Sequence, residues 1–341
     1  MKRFYRLSGY LAVVFTMLIL VSCTAGQPQQ GQSSLTPEEP VDVNFPLDFD
    51  GVYIETMPMR VVSLSPALTE IICELGYEDR LVGRTDYCDY PGSVSSLPTV
   101  GTVLMLDTAK VAELNPDLIV MQVPPTNEAL TKLQQTGAPI VTLSRAYDLA
   151  STGELYGKVF RLMEGAEVGV DKGELYKTEF AKRIASLTSA IERTVAAMTD
   201  APSYTGAYIV DTYSIVATPD TYEGKLLAAL GLANVASDAT NWQFPYEKLT
   251  AAKPYILLCA GNIELENLAK NKRLGEMGAV KKERAYAVNS VVFERQSPRL
   301  ADELERLAKE IYPDLVLDAP SVVPQDTSQE DLPQSEDASS T

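Results

Sequence analysis

The sequence predicts an α/β fold made of two lobes with mostly parallel sheets, bridged by one long rigid helix. Short apolar strand patterns alternate with helical patterns, this alternation occurs twice, and an unusually long helical pattern separates the two occurrences. A weak internal repeat supports paired lobes. A helix, the pair Asn115-Pro116 and a strand in the first half are matched by a helix, Lys253-Pro254 and a strand in the second.

The first lobe is predicted to span residues 59–168. Gly76 and Gly137 end two of its helices, as expected for the left-handed residue after a helix. The short connections between strands and helices indicate parallel pairing. The predicted strands and helices are, in order, 60–64, 65–75, 81–83, 107–114, 117–122, 127–136 and 139–143.

A connecting helix is predicted within residues 169–200. Its apolar residues recur every three or four positions, which places them on one face of a helix. They are Phe180, Ile184, Leu187, Ile191, Val195 and Met198. The pattern covers residues 171–198, so the helix would be about 42 Å long. Since α/β patterns flank it on both sides, a helical spine between lobes explains it better than a coiled coil.

The second lobe is predicted to span residues 201–318. Gly231 ends one of its helices and Pro254 stops another. A final amphipathic helix closes the lobe. The predicted elements are, in order, 207–210, 222–230, 247–252, 256–259, 285–288 and 299–311.

The two ends of the chain are predicted to lie outside the lobes. Residues 1–22 are basic and then apolar, and the apolar run at 11–21 is shorter than the ~20 residues that span a bilayer. Small residues before Cys23 resemble the bacterial lipoprotein signal, in which this cysteine is lipidated; an ordinary signal peptide is the alternative. Residues 23–58 are predicted to be a disordered tether, and residues 319–341 a disordered acidic tail.

Composition excludes several classes of function. The chain has 0 histidines, so it contains no Ser-His-Asp triad, no HExxH zinc site and no histidine-ligated haem. Its formal net charge of -17 argues against nucleic acid as a partner. Cys73, Cys88 and Cys259 show no CxxC spacing and are interpreted as buried or free thiols, with a Cys73–Cys88 bridge as the alternative. No metal site and no cofactor are predicted.

Four segments of the body resemble one family. Residues 60–70, residues 82–91 and residues 114–119 are similar to the substrate-binding proteins of ABC importers for cobalamin and iron chelates. Residues 293–299 resemble the cobalamin-binding branch in particular. The resemblance extends over about residues 60–312, which is the whole predicted body.

The resemblance implies two lobes with a ligand cleft between them and little hinge closure. It also implies a monomer outside the cytoplasm, anchored to the membrane through Cys23, that delivers its ligand to a permease with an attached ATPase. Such proteins dock through one acidic side chain on each lobe. The spacing to Pro254 assigns this role to Glu247 in the second lobe, whereas the matching first-lobe position is Ala109, so Asp107 is the candidate there, with Glu113 as the alternative.

The candidate ligand-binding residues lie in loops after predicted strands, because ligands meet α/β sheets at the carboxyl ends of their strands. They are Ser65, Pro66, Arg84, Tyr87, Tyr90, Tyr213, Trp242, Phe244, Phe293 and Arg295. Aromatic rings beside polar groups suit a large flat ligand with apolar faces and polar arms, such as a corrin. Cobalamin carries its own lower nitrogen ligand, so the lack of histidine is compatible with it. The alternatives place Trp242 in the core, Tyr87 or Tyr90 in the interior, and Arg295 in an ion pair with a nearby acid.

The leading hypothesis is a lipid-anchored binding protein for cobalamin or a related corrinoid. A ferric siderophore held by Arg84, Arg145 and Arg295, or haem ligated by Tyr87 or Tyr213, is the alternative within the same class. A surface-anchored enzyme is a further alternative, although the sequence contains no P-loop, no GxSxG and no SxxK motif. An adhesin or scaffold would need no aromatic-lined cleft.

Overall fold

The computed structural model describes residues 43–212 and 215–317. Two α/β lobes and a long helix account for nearly all of this part of the chain, as the sequence predicts. Within the described ranges, no helix combines the length and the apolar character needed to cross a bilayer. The lipidation candidate Cys23, the signal segment and the acidic tail at 319–341 lie outside the described residues.

The first lobe is built on a four-stranded parallel sheet. Its elements are β1 (Leu47–Phe49), β2 (Val52–Ile54), β3 (Val61–Ser63), α1 (Pro66–Glu74), β4 (Leu81–Arg84), α2 (Thr108–Glu113), β5 (Leu118–Met121), α3 (Asn127–Gln134) and β6 (Ile140–Thr142). The order in the sheet is β4-β3-β5-β6, and all three pairings are parallel. Every residue of β5 is buried, as expected for a strand that is covered on both faces.

The strands β1 and β2 form a separate antiparallel hairpin inside the segment that was predicted to be a disordered tether. Phe45, Leu47, Phe49 and Ile54 are buried in the core of the first lobe. The prediction that residues 43–58 are disordered is therefore wrong. The burial of these apolar side chains compensates for the ordering of the hairpin.

Two antiparallel helices follow the first sheet: α4 (Leu149–Glu164) and α5 (Val168–Ala196). The predicted long helix corresponds to α5, and α4 was not predicted. Their backbones approach closely, because a Cβ atom added to Gly173 would lie 2.9 Å from the Cα of Gly157. Phe180 of α5 packs in the core of the first lobe, whereas Leu187 and Ile191 pack in the core of the second. The long helix thus contributes to both lobes.

The second lobe contains the other four-stranded parallel sheet, with the order β10-β9-β7-β8. Its elements are β7 (Thr205–Ile209), α6 (Tyr222–Ala229), β8 (Ala233–Asn234), α7 (Tyr246–Ala252), β9 (Ile256–Ala260), α8 (Leu265–Leu268), α9 (Gly278–Lys281), β10 (Ala285–Val288), α10 (Ser290–Arg295) and α11 (Leu300–Ile311). The apolar face of α11 packs on the core through Leu304, Leu307 and Ile311.

Candidate functional site

The carboxyl edges of the two sheets face each other. Asp89, in the loop after β4, accepts a hydrogen bond of 2.7 Å from Arg295 at the end of α10. Arg145, three residues after β6, donates a hydrogen bond of 2.7 Å to the backbone carbonyl of Glu294. Because ligands of α/β sheets bind at this edge, the candidate site lies where the two edges meet, and we call it the groove.

Several exposed apolar side chains lie in the loops at this edge. Large apolar groups on a surface are associated with binding. In the first lobe they are Tyr87, Leu104, Met105, Val123 and Tyr147, and in the second Ile215 and Val291. This set gives both sides of the groove apolar contact surface.

A tight turn presents two of these side chains. Leu104 and Met105 are 81% and 78% exposed in the turn that follows Gly101. Gly101 has a φ of +81°, and a Cβ atom there would lie 2.4 Å from the carbonyl oxygen of Met105, so only glycine fits. The turn is tied to the loop after β4, because Asp86 N donates to Gly101 O at 3.0 Å. Sequence analysis missed both apolar residues, although adjacent large apolar residues in a loop were a visible signal.

Ser65 and Pro66, both predicted ligand contacts, begin α1 at the groove edge. The Ser65 hydroxyl caps the helix by accepting from Leu68 N at 3.4 Å, and it donates to the side chain of Gln122 at 2.9 Å. Pro66 occupies the first helical position, where its missing N–H has no cost. Their role in ligand contact remains a prediction.

Three predicted ligand contacts are packed in the interior, in contrast to the prediction. The Arg84 guanidinium is buried and donates to backbone carbonyls, including Val94 O at 2.7 Å and Cys88 O at 3.0 Å. Phe244 and Phe293 are 2% and 0% exposed. Arg84 therefore holds the loop after β4 together, and the two phenylalanines stabilise the second lobe.

Trp242 lies between core and surface. Its ring is half-buried against the core of the second lobe, with its centroid 6.4 Å from that of Tyr208. The backbone of Trp242 has a φ of +62°. Its backbone N–H donates to the hydroxyl of Thr218 at 3.1 Å, and this hydrogen bond fixes the loop. Tyr213, another predicted contact, lies outside the described residues.

Four charged side chains join the lobes: Glu70 and Asp89 from the first, Arg295 and Arg299 from the second. We call them the interlobe charge cluster. Arg299 binds both carboxylate oxygens of Glu70, at 2.9 and 2.7 Å, and Arg295 adds a bond of 2.8 Å to the same carboxylate. The Arg295 guanidinium also holds the pKa of Asp89 below its ordinary value. The sequence-based alternative that Arg295 pairs with an acid of a neighbouring loop describes this arrangement.

Tyr90 belongs to the same contact. The guanidinium carbon of Arg299 lies 3.7 Å from the centre of the Tyr90 ring, within the range of a cation–π interaction. Tyr87, three residues earlier, is 65% exposed. Of the two tyrosines, Tyr87 is the one with most of its surface available for contact with a ligand.

A glutamine makes a second connection between the lobes. The side chain of Gln296 accepts from Ala146 N at 2.7 Å and donates to Ala146 O at 2.6 Å, so it satisfies both backbone groups. Gln296 is 1% exposed. Neither contact was predicted, because a single glutamine carries no sequence signal for its partner.

Two acids, one of them buried, lie near the groove in the second lobe. Glu294 accepts a hydrogen bond of 2.8 Å from the hydroxyl of Tyr208. Glu223, at the start of α6, is 5% exposed. Burial raises the pKa of Glu223, the charge of Glu294 raises it further, and Arg145 acts in the opposite direction. In the part of the chain that the structure describes, no three acids or thiols are grouped as a metal site.

The two candidate docking acids are exposed at helix starts. Asp107 caps α2 by accepting from Lys110 N at 3.0 Å, and Glu247 lies in the first turn of α7. Ala109, at the position matching Glu247, is also exposed. The docking role of Asp107 and Glu247 remains a prediction.

Comparison with known proteins identifies the family. The family model described as periplasmic binding protein matches residues 61–292, which includes both sheets. The chain belongs to the periplasmic binding protein family. The match includes the exposed apolar residues of the groove and ends three residues before Arg295.

Relatives of this periplasmic binding protein agree with the assignment. An uncharacterized ABC transporter substrate-binding lipoprotein, YvrC of Bacillus subtilis, is 26% identical over 89% of this chain and 96% of its own length. A cobalamin-binding protein of Halobacterium salinarum is 23% identical over 76% of this chain and 71% of its own length. The apo periplasmic heme-binding protein RhuT of Roseiflexus superimposes with a TM-score of 0.62 at 24% identity, covering 74% of this chain and 98% of its own, and shows the same fold.

Proposed function

We propose that this periplasmic binding protein captures cobalamin or a related corrinoid in the groove and delivers it to the permease and ATPase of an ABC importer. The apolar side chains exposed on both facing sheet edges carry the proposal. A corrin ring has broad apolar faces and amide arms, and such a ligand would cover these side chains while leaving its arms near the polar loops.

Two further observations support this assignment. One relative is named a cobalamin-binding protein and another an ABC transporter substrate-binding lipoprotein. The lack of histidine is compatible with cobalamin, which supplies its own axial nitrogen. Because one relative is named a substrate-binding lipoprotein, we also propose that Cys23 carries a lipid anchor and that the protein acts outside the cytoplasm.

Haem is the second candidate for the ligand. The exposed Tyr87 lies at the groove edge, and a tyrosine phenolate is a suitable iron ligand. A solved structure with the same fold is named a heme-binding protein. A ferric siderophore remains the third candidate, for which Arg145 and Arg295 would supply the positive charge.

Absorbance after gel filtration separates these candidates. The protein is incubated with cyanocobalamin, haemin or a ferric siderophore, passed over the column and scanned for the spectrum of each compound. Corrin absorbance that elutes with the protein, together with saturable titration, supports the proposal. If the protein retains only haemin, and the accompanying spectral change is lost in Tyr87→Phe, the ligand is haem and not cobalamin.

A further inference from the structure

Two acids of the interlobe charge cluster share the same nitrogen of Arg295, but their surroundings differ. Nη1 donates to Glu70 at 2.8 Å and to Asp89 at 2.7 Å. The Glu70 side chain is 2% exposed, whereas that of Asp89 is 66% exposed. Glu70 also accepts from Nε and Nη2 of Arg299, whereas Asp89 accepts from no second arginine in the part of the chain that the structure describes.

This difference decides which acid can be displaced. Separating a buried carboxylate from its arginine partners leaves an uncompensated charge in the interior. Glu70 is therefore expected to remain bound to Arg295 and Arg299. An exposed pair is replaced easily, because water and ions solvate the released carboxylate; such pairs typically change an equilibrium by about fivefold or less. Asp89 is therefore the exchangeable counterion of Arg295.

Arg295 also has capacity for a better acceptor than Asp89. Its Nη2 donates only a long bond of 3.3 Å, to the carbonyl oxygen of Tyr87. An oxyanion with two free oxygens could take the place of Asp89 on Nη1 and accept from Nη2 at the same time. Phosphate and carboxylate groups match the guanidinium in this paired geometry.

We propose that Asp89 is a resident counter-anion that holds Arg295 in place in the empty protein and is replaced there by an oxyanion of the ligand. Asp89 thereby becomes a specificity-determining residue, because its displacement lowers affinity only for ligands that use Arg295. The inference rests on the proposed function and narrows its ligand to one with a phosphate or carboxylate that reaches the loop after β4.

Two corrinoids test the proposal on the intact protein. Cyanocobalamin carries a phosphodiester, and dicyanocobinamide lacks it. We expect Asp89→Asn to tighten cyanocobalamin binding about three- to fivefold, the range that loss of an exposed pair allows, and to leave dicyanocobinamide binding unchanged. Asp86→Asn removes the same charge from the same loop and is expected to change neither affinity. An equal effect of Asp89→Asn on both corrinoids, or weaker binding of cyanocobalamin, overturns the proposal.

A second measurement does not depend on corrinoid binding. Inorganic phosphate is titrated into the ligand-free protein while the Arg295 side-chain N–H resonance, assigned by its loss in Arg295→Lys, is followed by NMR. We expect phosphate to shift this resonance at several-fold lower concentration in Asp89→Asn than in the wild type. If the wild type retains no corrinoid, the proposed ligand is wrong and the phosphate titration alone decides the role of Asp89. Identical titrations of wild type and variant refute it.

Discussion

At the scale of single residues, two buried glutamates show how differently one fold can treat a carboxylate. Glu70 lies between the lobes and is bound by Arg295 and Arg299. Glu223 is also buried, and its pKa is raised by burial. A carboxylate with a raised pKa costs folding free energy when it is ionised. Glu223 is therefore expected to reduce stability at neutral pH.

Replacing Glu223 tests this expectation. The folded-state pKa lies above the ordinary value of 4.5, so the cost is fully present at high pH and disappears as the pH falls below that value. We expect Glu223→Gln to raise the melting temperature by about 2–4 °C at pH 8 and to have little effect at pH 4. A difference that is the same at both pH values would indicate altered packing instead of lost ionisation.

Trp242 provides a prediction about the ligand. Because its ring is half-buried at the groove edge, we expect Trp242→Ala to weaken ligand binding about tenfold or more with only a modest loss of stability. Phe244→Ala is the matched comparison, since Phe244 is buried two residues away and should cost about 3–5 kcal/mol of unfolding free energy. Calorimetric unfolding and ligand titration are measured on both. A stability loss as large as that of Phe244→Ala, with affinity intact, would make Trp242 a core residue.

At the scale of elements, the pair formed by α4 and α5 depends on glycine at the crossing. Gly173 and Gly157 lie opposite each other, and the nearest atoms to an added Cβ belong to the backbone. Backbone cannot move aside as the end of a flexible side chain can. The long helix that packs in both cores is thus positioned by a contact that leaves no room for a side chain at Gly173.

We expect Gly173→Ala to lower the unfolding free energy by about 1–3 kcal/mol, because the two helices must separate. Gly278→Ala serves as the control: it lies at the start of α9 with nothing within 4 Å of an added Cβ, and should be neutral or slightly stabilising. Denaturant unfolding of both variants measures the difference. Equal stability of the two variants would show that the crossing has room for a methyl group.

The helices and strands also show which parts of the fold can be predicted from the sequence. The spacing from Phe180 to Val195 predicts α5 because both cores lie on one side of the helix. The hairpin β1–β2 has only three residues in each strand, too few for a periodic signal, and its order comes from packing on residues distant in sequence. Helix α4 begins at Leu149 and includes Ser151, Thr152 and Gly153, which are weak helix formers, so its pattern is less distinct.

The sequence predicted the correct edge of the sheets for the candidate site, but it predicted the orientation of only some of the side chains there. Parallel strands bring their carboxyl ends together, so the loops could be chosen from the sequence. Which way each side chain points depends on local contacts that a linear pattern does not show. Arg84 turns inward to four carbonyls, Phe293 packs on Tyr208, and Arg295 meets acids of the other lobe.

At the scale of the whole molecule, the lobes are held by more than the long helix. The interlobe charge cluster and the pair Gln296–Ala146 both cross between them near the groove. Because Gln296 satisfies two buried backbone groups, its loss would leave both without a partner. These contacts oppose large changes in the distance between the lobes. The limited hinge closure that the family resemblance implies remains a prediction.

Gln296→Ala is therefore expected to lower the unfolding free energy by about 2–4 kcal/mol. Gln243→Ala, on the exposed surface of the second lobe, is the control and should change stability by less than about 0.5 kcal/mol. Hydrogen exchange at the Ala146 amide reports directly on the contact. Unchanged protection of this amide in Gln296→Ala would contradict the assignment.

Transport tests the docking prediction for the intact assembly. We expect Glu247→Arg to reduce uptake at least several-fold and to leave ligand affinity unchanged, because a docking acid requires positive charge on the permease and the reversed charge would repel it. Glu266→Arg makes the same change elsewhere on the exposed surface of the second lobe and should transport normally. Normal uptake by Glu247→Arg would remove this residue from the docking role.

The interlobe charge cluster has a consequence for how such proteins diverge. Glu70 belongs to one lobe and Arg299 to the other, 229 positions apart along the chain, and loss of Glu70 would leave Arg295 and Arg299 without the buried carboxylate that they share. Substitutions at these positions should therefore appear together among homologous chains. A chimera assembled from the lobes of two divergent relatives should fold only when its parents carry matching charges at the positions of the interlobe charge cluster.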